Sequence, residues 1–96
     1  MREEEFRAVT LCQMLGSTTR YRILKLLCER PMTPSELKSE LGKSGTVISV
    51  QLAKLKNAGL VRFKRERNGL FYWPKPAGLA GVVRGIEKFA SKPRGA

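Results

Sequence analysis

Histidine is absent from this 96-residue chain, and cysteine occurs only twice, at Cys12 and Cys28. Without imidazole there is no Ser-His or Cys-His dyad, no histidine general base and no histidine metal ligand. Two thiols are too few for a closed four-thiolate zinc site within one chain. They are also too few for the disulfide framework of a small secreted scaffold. Acidic residues are scarce: 8 Asp+Glu face 19 Lys+Arg, a net charge of +11. No apolar run approaches the roughly 18 residues of a membrane span. The opening Met1-Arg2-Glu3-Glu4-Glu5 has no apolar stretch of the signal-peptide kind. These absences predict a cytoplasmic protein that is not an enzyme and carries no cofactor or metal.

What is present is positive charge, unevenly placed. Residues 1–41 carry seven basic and six acidic residues, while residues 42–96 carry twelve basic and two acidic ones. A net +10 on one half predicts a polyanionic partner, nucleic acid before an anionic membrane surface. The length suits one domain, 1–96. Hydrophobic content of 42% is ordinary for a globular protein. Lys92 to Ala96 read as a loose tail.

The elements follow from periodicity and punctuation. Residues 3–15 read as a first helix, with three glutamates at the positive end of its dipole and Gly16 as its C′ residue. Ser17 or Thr18 caps a second helix to about Glu29, which Pro31 ends. Thr33-Pro34-Ser35-Glu36 is a capping box with proline at N1, and Met32 and Leu37 are spaced for a hydrophobic staple. That third helix ends at Leu41. Ser44 caps a fourth helix to about Ala58, with Ile48, Leu52 and Leu55 as its buried stripe. Gly59 and Leu60 predict a Schellman end. Strands at Leu60 to Arg65 and Leu70 to Trp73 flank Asn68-Gly69, a type I′ hairpin signal. A last helix, 79–90, repeats Leu79, Val82, Val83, Ile86 and Phe89 at helical spacing.

This order predicts a mainly α fold with a small β-hairpin, a winged helix-turn-helix. The helix-turn-helix spans 34–58 and the wing 60–73. The buried stripe of the fourth helix turns Thr46, Ser49, Val50, Ala53, Lys54 and Asn57 outward, on a helix that fits the major groove. Ser44, Thr46, Ser49 and Gln51 offer hydrogen bonds to bases or phosphates, and Val50 offers contact to a thymine methyl. Lys43, Lys54, Lys56, Arg65 and Arg67 suit phosphates, because a flexible cation positions rather than specifies. Backbone N–H groups near Ser44 and Gly45 add an anion site at the helix start. The amphipathic terminal helices lie outside this unit. Phe6 and Val9 on the first, with Leu79, Val82, Val83, Ile86 and Phe89 on the last, make their apolar faces, which either cap the small core of their own chain or meet a partner in a dimer. The run Leu70-Phe71-Tyr72-Trp73 covers both faces of a strand. One face meets the core; the other packs on the last helix or a partner, or stacks on unpaired bases.

Leu15-Gly16-Ser17-Thr18-Thr19-Arg20-Tyr21-Arg22-Ile23-Leu24 resembles the Leu-Gly-Asp-Pro-Thr-Arg-x-x-Ile-Leu entry of ArsR/SmtB-type repressors. Pro34-Ser35-Glu36-Leu37 through Ser44 is similar to their third helix and turn. Thr46 through Val61, ending Ala58-Gly59-Leu60-Val61, is similar to their recognition helix and its exit. The resemblance spans about residues 12–76. It implies a homodimer, joined through the first and last helices, that represses transcription at a palindromic operator. It also sharpens the absence of metal ligands. Family members that sense metal carry a cysteine pair in the third helix, where this chain reads Glu36-Leu37-Lys38-Ser39-Glu40-Leu41. The other common site uses histidine and carboxylates on the last helix, where Glu87 is the only acid. Cys12 and Cys28 remain as chemical handles. They read either as buried reduced thiols or as a redox pair, and Cys12 alternatively as a symmetric intersubunit disulfide.

Double-stranded DNA and a second copy are therefore the expected partners of a sequence-specific regulator. A nonspecific or architectural nucleic-acid binder is the alternative that the charge supports. A winged-helix adaptor for another protein is the third.

Overall fold

The computed structural model describes residues 1–91; the tail expected at Lys92 to Ala96 lies outside them. The elements run α1 (Glu3–Leu15), α2 (Thr18–Glu29), α3 (Pro34–Leu41), α4 (Gly45–Asn57), β1 (Val61–Glu66), β2 (Gly69–Pro74) and α5 (Leu79–Ala90). The capping chemistry places most of these boundaries. Ser17 Oγ accepts the Arg20 N–H at the start of α2. At α3 the capping box is complete: Thr33 Oγ1 accepts from Glu36 N–H at 3.1 Å, and Glu36 Oε1 accepts from Thr33 N–H at 2.9 Å. Ser44 Oγ accepts the Val47 N–H at the start of α4.

The exit of α4 is the Schellman end that the sequence predicts. Leu60 N–H reaches the Leu55 carbonyl at 2.9 Å, and Gly59 N–H the Lys56 carbonyl at 3.0 Å. Gly59 sits at φ +75°, where a side chain would be strained. This reversal drops the chain straight from α4 into β1. Gly16 differs from expectation. It takes right-handed φ −72°, because the chain re-enters a helix within two residues and needs no left-handed turn.

β1 and β2 pair antiparallel, Val61 with Pro74 through Glu66 with Gly69. The loop is therefore Arg67-Asn68, one residue earlier than the Asn68-Gly69 signal. Both loop residues have negative φ, so the expected type I′ turn does not form. Gly69 instead opens β2 at φ +150°. A Cβ there would lie 2.9 Å from Thr33 Cγ2, so the turn end of the wing is seated on the cap of α3. A second contact fastens the wing. Met32 and Tyr72 exchange backbone hydrogen bonds of 3.1 and 2.8 Å, adding a one-residue third strand.

The core lies between α2, α3 and α4. Ile23, Leu24 and Leu27 meet Leu37 and Leu41, and Ile48, Leu52 and Leu55 close it. Met32, Leu60, Val61 and Leu79 complete it at the wing and α5 sides. α2 is the hub, packed against α1, α3, α4, α5 and β2. The principal helical neighbours of β2 are α2 and α3, not the last helix. Among the described residues no helix is long and apolar enough to cross a membrane.

Candidate nucleic-acid interface

α4 shows its predicted faces. Ile48, Leu52 and Leu55 are buried, while Thr46, Ser49, Val50, Ala53, Lys54 and Asn57 are exposed, as are Lys43, Ser44 and Gly45 ahead of them. The α3–α4 turn leaves an open groove of about 500 Å³. It is lined by Pro34, Ser35 and Lys38 from α3 and by Gly45, Thr46, Ser49 and Val50 from α4. The first-turn N–H groups of α4 have no intrahelical partner; Ser44 Oγ takes that of Val47. Those of Gly45 and Thr46 sit at the positive end of the dipole beside Lys43, the arrangement that holds an anion.

The wing is basic and exposed from Arg62 to Arg67. Lys64 lies 3.6 Å from Glu66, which screens it. Lys56 is drawn over the Phe63 ring at 4.5 Å, and Arg62 lies over Trp73 at 5.5 Å. Among the described residues, Lys43, Lys54, Arg65 and Arg67 have no carboxylate partner. These are four of the five cations that the residue types assign to phosphates; the fifth, Lys56, is the one drawn over Phe63.

Gln51 departs from the expected reading surface. It is half-buried beside the core stripe, and its Oε1 accepts from Arg20 Nη1 at 2.9 Å. A position three residues after Ile48 and four before Leu55 borders the buried face rather than the outward one. It faces the α1–α2 junction. Arg20 was legible only as part of a family-like motif. Nothing in local sequence signals a partner 31 positions away.

The expected dimer residues divide. Phe6 (63% exposed) and Val9 on α1, and Val82, Ile86 (41%) and Phe89 on α5, stand on the surface. Leu79 and Val83 do not: they are 3% and 4% exposed, packed inside the protomer. They lie on the inner edge of the same apolar stripe and fasten α5 to its own chain. α1 buries none of its residues. A groove of about 600 Å³ beside it is lined by Phe6, Thr10, Leu11, Leu60 and Pro76 among others.

α5 is further held by polar contacts across 62 and 66 positions. Tyr21 Oη donates to Glu87 Oε2 at 2.7 Å and Lys25 Nζ to Glu87 Oε1 at 2.9 Å. Lys25 first, then Tyr21, hold the Glu87 carboxyl below its ordinary pKa. The same bond raises the Tyr21 phenol. Both thiols are free. Cys12 is exposed on α1, contrary to the expectation of burial. Cys28 is half-buried beside Ala80, Val83 and Arg84 of α5. Burial raises its pKa more than Arg84 lowers it, so its reactive thiolate is disfavoured. Among the described residues no three His, Cys, Asp or Glu side chains cluster as metal ligands would.

Residues 17–62 match the model of the arsR family of bacterial regulatory proteins. The HTH-type transcriptional regulator KmtR of Mycobacterium tuberculosis is 39% identical over 64 residues, covering 67% of this chain and 49% of that protein. This chain thus spans about half of KmtR's length. The transcriptional activator HlyU of Vibrio cholerae is 32% identical over 72 residues, 75% of this chain and 67% of HlyU. A solved HlyU structure superposes with TM-score 0.85 at 25% identity, over 96% of this chain and all of that one. The homodimeric winged helix-turn-helix DNA-binding domain of Mb0332 from Mycobacterium bovis superposes with TM-score 0.78 at 24% identity, over 88% of this chain and 78% of that one.

Proposed function

The chain belongs to the arsR family of DNA-binding winged helix-turn-helix transcriptional regulators, and from that premise we propose a homodimeric, sequence-specific repressor that does not respond to metal. The observation that carries this reading is the exposed face of α4. It offers hydroxyls (Thr46, Ser49) and a methyl-contacting side chain (Val50) between uncommitted cations on the helix and wing. Hydroxyls and apolar contacts read base edges, whereas cations hold phosphates. A surface meant only for nonspecific binding needs the second kind alone.

The dimer reading rests on α1 and α5. Each sets apolar side chains on the surface outside the helix-turn-helix, a costly arrangement unless covered. The Mb0332 domain is homodimeric, and a two-fold pair here would carry two α4 helices to half-sites about one helical turn apart. A palindromic operator follows from that symmetry. Metal independence is supported by the donor set. There is no histidine, α3 holds no cysteine, and Glu87 is engaged with Lys25 and Tyr21. Repression follows if a dimer seated on a promoter excludes polymerase from the same DNA. HlyU is named an activator, so a reporter fused to the operator has to fix the sign.

The deciding experiment selects a duplex from a random library with the protein. Its binding is then compared with that of a scrambled duplex across a salt series. A preference of roughly 10³ or more marks an operator-reading regulator. Equal binding with the same steep salt slope overturns sequence specificity in favour of an architectural binder. Absence of binding at low salt overturns both and leaves the adaptor.

A further inference from the structure

The guanidinium of Arg20 joins three helices. Its Nε donates to the Met14 carbonyl at 3.0 Å and its Nη2 to the Gln13 carbonyl at 3.4 Å, both in the last turn of α1. Its Nη1 donates to Gln51 Oε1 at 2.9 Å, in the middle of α4. The last carbonyls of a helix lack an i+4 N–H within it and carry the negative end of the dipole; that of Gln13 also accepts the Gly16 N–H at 3.2 Å. α1 has no basic residue of its own there, so the cation comes from the next helix. Arg20 is in turn placed by the cap of α2, where its N–H is bound by Ser17 Oγ at 3.3 Å.

A guanidinium carries donors only, so the Gln51 atom facing it is the amide oxygen. That fixes the amide orientation, with its NH₂ turned away from Arg20. Three of the five guanidinium N–H groups are engaged, and the side chain is half-buried. Arg20 is therefore poorly placed to serve as one more phosphate cation.

We propose that Arg20 is a positioning residue for the recognition helix. Through Gln51 it sets the roll of α4 against the end of α1. In a dimer built on α1, this transmits the two-fold geometry to Thr46, Ser49 and Val50, so that both protomers present them in register. Gln51 is the relay in this device and not a reader of bases. The inference rests on α4 being the DNA-reading helix and α1 being at the dimer interface. One of its two readouts needs no DNA.

The first readout is denaturant unfolding of Arg20→Met, Gln51→Met and the double variant. The expected result is non-additivity: the double variant is about as stable as Arg20→Met alone. Additive losses overturn the link. The second is the affinity ratio between the library-selected and scrambled duplexes. Gln51→Met is expected to lower this ratio roughly tenfold, the weight of one hydrogen bond to a charged group. Gln51→Glu keeps the acceptor for Arg20 and is expected to stay within about twofold of wild type. A base-reading Gln51 would give the opposite ranking, because the new carboxylate would face DNA. Arg20→Met is expected to leave the salt slope unchanged; a fall of about 0.9 would make Arg20 a phosphate ligand and overturn the proposal. If wild type shows no duplex preference, the regulator reading fails by itself, and the unfolding cycle still decides whether Arg20 locks α4.

Discussion

Replacing Phe6 by serine removes the largest apolar side chain on the exposed face of α1. Phe6 leaves 63% of its surface uncovered in the protomer. With about 150–250 Å² on an aromatic side chain, roughly 100–150 Å² is there for a partner to cover. At about 25 cal/mol per Å² full coverage contributes about 2.5–4 kcal/mol per protomer. Allowing for half coverage, and counting the residue twice in a two-fold dimer, association weakens by about 3 kcal/mol. The dimer dissociation constant then rises on the order of 10²-fold. Sedimentation equilibrium reads this directly, and dilution melting supplies the control. Because Phe6 is not among the residues packed on the protomer core, the diluted variant should melt close to the diluted wild type. A Phe6→Ser protein with the wild-type dimer constant would refute the placement of α1 at the interface. So would one that becomes monomeric only by unfolding.

Leu79→Ala should act on the other side of that division. Its side chain is buried in its own protomer, so the cost is about 2–5 kcal/mol of protomer stability. It should appear equally at high and low protein concentration in thermal melts. Thr33→Ala breaks the capping box and should cost about 1 kcal/mol in denaturant unfolding. The methyl group that faces Gly69 goes with it, so wing amides should exchange faster. The contacts of Glu87 with Lys25 and Tyr21 predict a pH window. The folded Glu87 carboxyl is held below its ordinary value, so its contribution is complete above the unfolded pKa near 4.5 and is lost as pH falls through the folded one. The Tyr21 phenol is raised, so its contribution holds below pH 10 and is lost as pH rises through the folded value. Urea unfolding of wild type against Glu87→Gln should show a stability gap at neutral pH that closes at both ends. A gap that is constant with pH would contradict these contacts.

Much of the fold is legible because it is punctuated locally. Thr33-Pro34-Ser35-Glu36 specifies where α3 begins through bonds spanning three residues. Gly59 and Leu60 specify how α4 ends. The stripe Ile48, Leu52, Leu55 specifies which side of α4 faces out, and with it most of the candidate reading surface. The hairpin was legible as a hairpin but not in its turn. A two-residue Asn-Gly signal competes with the pairing register, and here Gly69 was drawn into the strand by its seat against Thr33.

Periodicity marked seven apolar residues on the terminal helices, and the family resemblance joined them in one interface. Periodicity reports that a side chain is on the apolar side of a helix, not which neighbour covers it. Leu79 and Val83 are buried within their own chain, and Phe6, Val9, Val82, Ile86 and Phe89 stand on its surface. Gln51 lies off the outward face for the related reason that the border of a helical stripe is ambiguous within one residue's rotation, about 100°. Its partner Arg20, and the partners of Glu87, come from helices far away in the chain. Helix caps, stripes and net charge are properties of short windows, so they are written into the amino-acid order. Which polar side chain satisfies which, and which apolar edge stays uncovered, depends on how the helices cross, and only the packed tertiary structure decides it.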